Sequence, residues 1–255
     1  MDNAVEISEL HKAFAGQGIL KGVTLSAPRG KITTIIGGSG SGKSVMIKHL
    51  VGLLRPDTGS IVVDGQDITK LASKDLRQVR GKFGLLFQHA ALFDSMNVEE
   101  NVGFPLRERT KLGGAEIRER VAEILERLNL PGIQKKYPSE LSGGMKKRVG
   151  LARAIVLEPK FMIYDEPTTG LDPIMIRQVD DMIRDTQERF GVTSIIISHD
   201  MASTFRLSHN IAMLHEGRIR LEGPPSLFRN SADPEVEKFI YATQIDVGDE
   251  DEVNS

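Results

Sequence analysis

Short apolar runs alternate with segments of helical periodicity along most of the chain. The runs "KITTII", "FMIYDE", "TSIIISHD" and "NIAMLHEG" are rich in isoleucine and are each short enough for one buried strand. Between two of them, "DPIMIRQVDDMIRDTQERFG" has the spacing of an amphipathic helix, which Gly191 ends. The alternation predicts an α/β fold with a largely parallel sheet that helices cover.

Two parts of the chain depart from this alternation. Residues 5–29 are short strand-like pieces separated by glycines, which favours an antiparallel edge. Residues 94–159 contain helical segments such as "AEIRERVAEILERLNL", whose apolar side chains form one stripe before Pro131. We therefore expect a domain over residues 1–240, made of a core (1–93 and 160–240) and an inserted helical subdomain (about 94–159), followed by an acidic tail at 241–255.

Composition narrows the functional classes. The 255 residues carry a formal net charge of -2 and no cysteine. The balanced charge provides no basic field for nucleic acid, and the lack of cysteine excludes disulfides, thiol catalysis and cysteine-ligated metals. The start "MDNAVEISEL" is not typical of a signal peptide, and no apolar run reaches the roughly 18 residues of a spanning helix. We expect any work at a membrane to go through a partner.

The segment "GGSGSGKS" matches the phosphate-loop pattern G-x-x-x-x-G-K-[ST] and stands between a predicted strand and a predicted helix. Glycines suit this chemistry because backbone N–H groups must close around phosphate oxygens with no Cβ in the way. Lys43 would reach the β- and γ-phosphates of ATP, and the Ser44 hydroxyl would ligate Mg²⁺. The predicted nucleotide-binding residues of this loop are Gly37, Gly38, Ser39, Gly40, Ser41, Gly42, Lys43 and Ser44.

Further polar residues follow the predicted strands, at the edge where open α/β sheets bind ligands. Asp165 would bind Mg²⁺ through a water, and Glu166 would polarise the water that attacks the γ-phosphate. Gln88 would offer an oxygen to Mg²⁺, and His199 is a catalytic candidate. The alternatives are a solvated strand end for the two carboxylates, a surface amide for Gln88 and a structural role for His199.

The stretch "ELSGGMKKRVGLARAI" predicts a helix with a bare start. Ser142 would cap the helix, and the following Gly143 and Gly144 would let a ligand approach the exposed N–H groups. The positive end of such a helix is an anion site, whereas the basic residues 146–148 are equally typical of a solvated helix face.

The order of these motifs, with "LSGGM" and "GLDP" between Gln88 and His199, resembles the ATP-binding cassette ATPases over almost the whole chain. The resemblance implies a head-to-tail dimer, in which Ser142 and Gly144 of one subunit contact the γ-phosphate of ATP held by the other. It places Phe14 against adenine, although a buried core position is the alternative. It places Asp172 in the dimer-contact loop, where capping the next helix is equally compatible.

A closer resemblance narrows the cargo. The segments "LFQHAALFDSMNVEENVGFPLRE", "SELSGGMKKRVGLARAI" and "DPEVEKFI" look like ATPase subunits of the MlaF type, from the bacterial maintenance-of-lipid-asymmetry systems. That resemblance implies phospholipid transport between the two membranes of Gram-negative cells and a peripheral location on the cytoplasmic face of the inner membrane. It also implies a permease, an MCE-type lipid-binding protein and a small STAS-domain protein as partners.

Three other functions stay open at this point. One is the ATPase of another importer, for amino acids or metals, although a C-terminal regulatory domain would be expected there. Another is a soluble cassette protein acting on DNA or ribosomes, for which a basic surface or a second cassette is expected. The third is a silent binding module, which the presence of Lys43, Asp165, Glu166 and His199 disfavours.

Overall fold

The computed structural model of the chain describes residues 2–88 and 90–245. The chain divides into two units, one made of Met1–Gly81 with Thr193–Ser255 and the other of Lys82–Val192. Strands and helices occur in both units, which confirms the predicted α/β class. The division differs from the predicted core and insertion, because the strands at residues 83–87 and 161–165 belong to the same unit as the predicted helical segments.

The first unit contains eight strands and five helices among its described residues, numbered here in chain order. Its strands are β1 (Asn3–Phe14), β2 (Gln17–Pro28), β3 (Ile32–Ile36), β4 (Thr58–Val63), β5 (Gln66–Asp67), β8 (Thr193–Ile197), β9 (Asn210–His215) and β10 (Arg218–Gly223). Its helices are α1 (Lys43–Leu50), α2 (Ser73–Gly81), α7 (Met201–Leu207), α8 (Pro225–Arg229) and α9 (Pro234–Ile245), with a 3-10 turn at Ile68–Lys70.

Two sheets form the first unit. The order β2-β1-β4-β5 is antiparallel throughout, which confirms the antiparallel edge predicted near the start of the chain. In the other sheet β3 lies between β8 and β9 and is parallel to both, and β10 pairs antiparallel with β9. All five residues of β3 are buried, as a central strand requires, whereas β10 is partly exposed, as suits an edge.

The core of the first unit lies on both faces of β3. On one face the antiparallel sheet and α1 meet β3 and β8 through apolar side chains that include Val5, Ile7, Leu25, Ile35, Met46 and Ile195. On the other face the helices α7 to α9 cover β3 and β9 through Ile36, Met201, Ile211, Met213, Phe228 and Val236. This packing positions the end of β3, from which the phosphate-loop motif leaves the sheet.

The terminal helix α9 begins earlier in the chain than the predicted tail and runs into it. Val236 is fully buried, and Phe239 and Ile240 pack against the same apolar cluster, so the helix is packed on the first unit up to Ile240. The first five residues of the predicted acidic tail, 241–245, are also helical. The rest of that prediction, residues 246–255, lies outside the described residues.

The second unit combines a strand pair with helices. Its elements are β6 (Phe83–Phe87), α3 (Val98–Arg109), α4 (Gly114–Arg127), a 3-10 turn at Pro138–Glu140, α5 (Gly143–Ile155), β7 (Phe161–Asp165) and α6 (Pro173–Phe190). The strands β6 and β7 are parallel, and the rings of Phe83 and Phe161 stack with centroids 4.9 Å apart. In α4 the predicted apolar stripe is buried, and α6 ends at Gly191, whose φ of 62° is the left-handed cap expected there.

None of the helices in residues 2–88 and 90–245 is both long and apolar enough to cross a bilayer.

A bulge in β1 leaves no room for a side chain at Gly59. Glu9 has a φ of 46°, and the pairing of β1 with β4 shifts register between Ser8 and His11. At Gly59 (φ 94°) a Cβ would lie 2.3 Å from the Glu9 carbonyl oxygen, whereas at Gly65 (φ 77°) a Cβ would meet no atom within 4 Å.

We expect Gly59→Ala to destabilise the protein by about 3 kcal/mol, because left-handed strain adds to a clash with backbone. Gly65→Ala carries only the strain and should cost about 1 kcal/mol. Urea unfolding followed by circular dichroism measures both free energies of unfolding. Equal losses for the two variants would show that the bulge does not press on Gly59.

Candidate functional site

The phosphate-loop motif joins β3 to α1 through backbone that only glycine accommodates well. Gly37 has a φ of 151°, and a Cβ there would lie 2.2 Å from the Leu214 carbonyl oxygen. Gly40 and Gly42 have φ values of 77° and 109°, and Gly42 stands at the N-cap of α1. The loop therefore turns with its backbone close to its surroundings, and the first-turn N–H groups of α1 follow directly.

The loop presents groups that suit an anion. The Lys43 Nζ donates to the carbonyl oxygens of Gly37 (2.6 Å) and Gly38 (3.0 Å), so its charge lies over the loop. The Ser41 Oγ is buried without a hydrogen-bond partner in the described part of the chain, and Ser44 is exposed in the first turn of α1. Gly38, Ser39 and Gly40 are also exposed. Backbone N–H groups, a hydroxyl and an ammonium around a glycine-rich loop fit a polyphosphate.

Strand register places His199 at the same edge as this loop. Ile35 of β3 is opposite Ile197 of β8, and the Ser198 N–H donates to the Ile35 carbonyl oxygen (3.3 Å). The chain therefore leaves both strands at one level, with Gly37 after β3 and the exposed His199 after β8. The first unit brings together the loop and the histidine that the sequence predicts as site residues.

The second unit brings together three further predicted residues by the same rule. Phe87, the last residue of β6, is opposite Asp165, the last residue of β7. Gln88 and Glu166 are the next residues of the two strands, so their side chains start at one level of the strand pair. Glu166 has a φ of 50°, and its carboxylate accepts a hydrogen bond from the Thr169 Oγ1 (2.9 Å). The amide and both carboxylates thus lie at the carboxyl ends of parallel strands.

The start of α5 is as bare as the sequence predicts. The Ser142 Oγ accepts from the Met145 N–H (3.3 Å) and caps the helix, and Ser142 and Gly143 are exposed. The first turn carries no acidic residue. At Gly144 a Cβ would lie 2.8 Å from the Met175 Cε, so glycine keeps this turn open beside α6. An uncompensated helix N-terminus with exposed N–H groups attracts anions.

Two remaining predicted residues lie at element ends. The Asp172 Oδ1 accepts from the N–H groups of Ile174 and Met175, both at 2.9 Å, so Asp172 caps α6. Capping is one of the two roles expected for it. Phe14 ends β1 and is 44% exposed, with the Lys12 Nζ 5.4 Å from the centroid of its ring. The alternative that Phe14 is a buried core residue is wrong, and its exposed face is open to stacking.

One basic residue of α5 departs from the interpretation as a solvated face. Lys147 is only 7% exposed, and its Nζ donates to the Pro167 carbonyl oxygen. Burial lowers the pKa of Lys147. Gly150 and Leu151, three and four residues later, share its helix face and are also buried, but no motif in the sequence marks Lys147 for burial.

The match with known proteins identifies a family. A family model described as "ABC transporter" matches residues 20–169. A probable ribonucleotide transport ATP-binding protein of Mycobacterium leprae is 42% identical over 96% of this chain and 71% of its own length. A methionine import ATP-binding protein of Caulobacter vibrioides is 38% identical over 95% of this chain and 74% of its own length. The intermembrane phospholipid transport ATP-binding protein MlaF of Escherichia coli is 37% identical over 93% of this chain and 88% of its own length.

A solved structure shares the fold. It is a dimeric post-hydrolysis state of an ATP-binding cassette bound to ADP and Pi. The likeness has a TM-score of 0.76 and 29% sequence identity, and it covers 87% of this chain and 98% of that one.

The close approach of Gly37 to the Leu214 carbonyl oxygen leads to a prediction about nucleotide binding. Gly37→Ala is expected to weaken ATP binding about tenfold or more, because the loop must move away from the Leu214 carbonyl to hold a Cβ. Gly30→Ala is the matched control, since Gly30 is left-handed (φ 64°) but a Cβ there would meet nothing within 4 Å. Equilibrium titration with a fluorescent ATP analogue measures both. Wild-type affinity in Gly37→Ala would contradict the proposed cradle.

Proposed function

The chain belongs to the ABC transporter family, and from this membership we propose that it drives phospholipid transport between the inner and outer membranes of a Gram-negative cell. It is the ATP-binding, ATP-hydrolysing subunit of an ABC transporter. The observation that carries the ATPase chemistry is the loop at residues 37–44, where a Cβ on Gly37 would press on the Leu214 carbonyl oxygen and Lys43 lies across the loop. We propose the cytoplasmic face of the inner membrane as its location.

We assign each polar group of the site a role in hydrolysis. The loop N–H groups and Lys43 would hold the phosphates of ATP, and His199 would hydrogen-bond the γ-phosphate from the same strand edge. Glu166 would accept the proton of the attacking water, and its hydrogen bond with Thr169 orients the carboxylate.

The side chains of Ser44, Gln88 and Asp165 offer oxygen atoms of the kind that Mg²⁺ prefers, and we propose that they hold it. Bound Mg²⁺ would neutralise charge on the transferred phosphoryl group.

A second copy of the chain would complete each site. The bare N-terminus of α5, with Ser142, Gly143 and Gly144, is an anion site that lies in the second unit, and the phosphate loop belongs to the first. In a head-to-tail dimer each copy's α5 would face the γ-phosphate held by the other, with Asp172 near the contact and Phe14 stacked on adenine. The dimeric cassette with ADP and Pi supports the pairing of two copies. ATP would favour the closed dimer because it adds contacts that exist only across the interface.

The phospholipid cargo is supported by the likeness to MlaF, which extends over most of both chains, and by the segments after Gln88 and around "LSGGM". We propose a permease, an MCE-type lipid-binding protein and a STAS-domain protein as partners. The methionine import relative favours a second candidate, the ATPase of an importer for amino acids or another small solute.

An exposed aromatic residue stands in the segment that follows Gln88. Phe93 is 43% exposed although its backbone is fixed, since the Asn101 side chain accepts from its N–H (2.8 Å) and donates to its carbonyl oxygen (3.0 Å). Its ring lies 5.2 Å from that of Phe104. A rigidly held, exposed aromatic suits an interface anchor. We propose that it receives a helix of the permease.

The role of Glu166 as the base predicts a separation of binding from turnover. Glu166→Gln is expected to bind ATP but to lower kcat by at least about 100-fold, because an amide cannot accept the proton. The variant should accumulate an ATP-bound dimer, which size-exclusion chromatography with ATP detects. Steady-state hydrolysis by Glu166→Gln at the wild-type rate would show that Glu166 is not the base.

The cargo is tested by purifying the membrane complex through a tag on this subunit. We expect the wild-type chain to recover a permease, an MCE protein and bound phospholipid, identified by mass spectrometry. Phe93→Glu should lose the permease while keeping ATP binding, because a charge replaces the apolar anchor. Recovery of a solute permease without an MCE protein would favour the second candidate and refute the phospholipid proposal.

A further inference from the structure

Lys147 is buried although lysine is a charged residue type. Its Nζ donates to the carbonyl oxygen of Pro167, 20 residues further along the chain. Burial lowers its pKa, which means that the folded protein disfavours the charged form there. A buried ammonium that reaches a carbonyl oxygen is costly compared with an apolar side chain of the same size. The contact is therefore poor as a stabilising device, and a role in the site is the stronger explanation.

The carbonyl that Lys147 holds belongs to the residue after Glu166. Glu166 has a left-handed backbone (φ 50°), which costs a residue with a Cβ about 1 to 3 kcal/mol unless its surroundings fix it. Two contacts fix the loop from inside, since the Thr169 N–H donates to the Glu166 carbonyl oxygen (3.4 Å) and the Thr169 Oγ1 donates to its carboxylate. Lys147 fixes the next peptide from outside the loop. The direction of the Glu166 side chain thus depends on an anchor in α5.

Helix α5 also forms hydrogen bonds with the loop that follows Gln88. Arg153 donates from its Nη2 to the Ala90 carbonyl oxygen and from its Nη1 to the Ala91 carbonyl oxygen, both at 2.8 Å. Between the two basic residues, Gly150 allows close approach, because a Cβ there would lie 2.9 Å from the Ala90 Cβ. Positions 147 and 150, and positions 150 and 153, are each three residues apart and are therefore neighbours on the helix surface. Helix α5 thus contacts both the loop after Gln88 and the loop after Glu166.

We propose that Lys147 is a positioning residue for ATP hydrolysis, which fixes the Pro167 carbonyl and with it the Glu166 carboxylate to α5. The inference rests on the proposed function of Glu166 as the base. Because Ser142 and Gly144 stand at the N-terminus of the same helix, Lys147 connects the end of α5 that meets ATP in the partner's site to the base of its own site. Hydrolysis in one site then depends on how the α5 helix of the same copy contacts the ATP in the other site.

The test compares Lys147→Met with Lys147→Gln in the full chain. Methionine keeps the length and removes the donor, and glutamine keeps an N–H donor without the charge. We expect Lys147→Met to lower kcat by about 10- to 100-fold through misplacement of the base, with ATP affinity and Tm unchanged. Lys147→Gln should fall between Lys147→Met and the wild type. Lys146→Met is the matched control, because the neighbouring Lys146 is partly exposed and its mutation should leave kcat unchanged.

A second measurement separates positioning from general stability. In the Glu166→Gln background, Lys147→Met should lower the residual turnover no further, since Lys147 acts through the missing carboxylate. If Lys147→Met and Lys147→Gln keep the wild-type kcat while Glu166→Gln is inactive, the inference is wrong and the proposed function stands. If Glu166→Gln itself turns over normally, both are wrong. A parallel fall of ATP affinity, Tm and kcat in Lys147→Gln would show a structural role and also overturn the inference.

Discussion

Pairing between parallel strands decides which polar groups meet in this protein, because residues that follow paired strand ends leave the sheet at one level. In the first unit Ile35 opposite Ile197 brings the phosphate loop and His199 to one edge. In the second unit Phe87 opposite Asp165 does the same for Gln88 and Glu166. A shift of either pair by one residue would turn every side chain of that strand to the other face. All residues of β3 and β8 and the first four residues of β7 are buried, so these strands pack on both faces.

Helix α5 links the remaining chemistry to this framework. Its start is open and positive, since Ser142 caps it and the first turn carries no acidic residue. In the middle of the helix, Lys147 and Arg153 donate hydrogen bonds to backbone carbonyl oxygens of two loops. These hydrogen bonds fix the backbone of both loops. The pKa of Arg153 is lowered by burial as well. The open N-terminus and the contacts to both loops are therefore parts of one helix.

Local signals made much of this predictable from the sequence. The glycines of the phosphate loop, the caps Ser142 and Asp172 and the apolar strands before Asp165 and His199 depend on a few neighbouring residues, and they lie where the pattern places them. The positions that escaped prediction depend on packing between distant segments. Lys147 is buried because Pro167 offers an acceptor 20 residues away. Helix α9 is fixed in place because Val236, Phe239 and Ile240 join the apolar cluster that β3 and β9 contribute to. Local sequence patterns cannot predict such contacts between distant segments.

The central claim is that each site is shared between two copies of the chain, and mixing two inactive variants tests it most directly. Lys43→Ala removes the phosphate ligand of one half, and Ser142→Arg blocks the other half. Neither variant alone should hydrolyse ATP, because each homodimer has a defect in both sites. In an equal mixture, half of the dimers would be mixed and would each have one intact site, so up to about a quarter of wild-type hydrolysis should return. A mixture as inactive as its components would contradict the shared site.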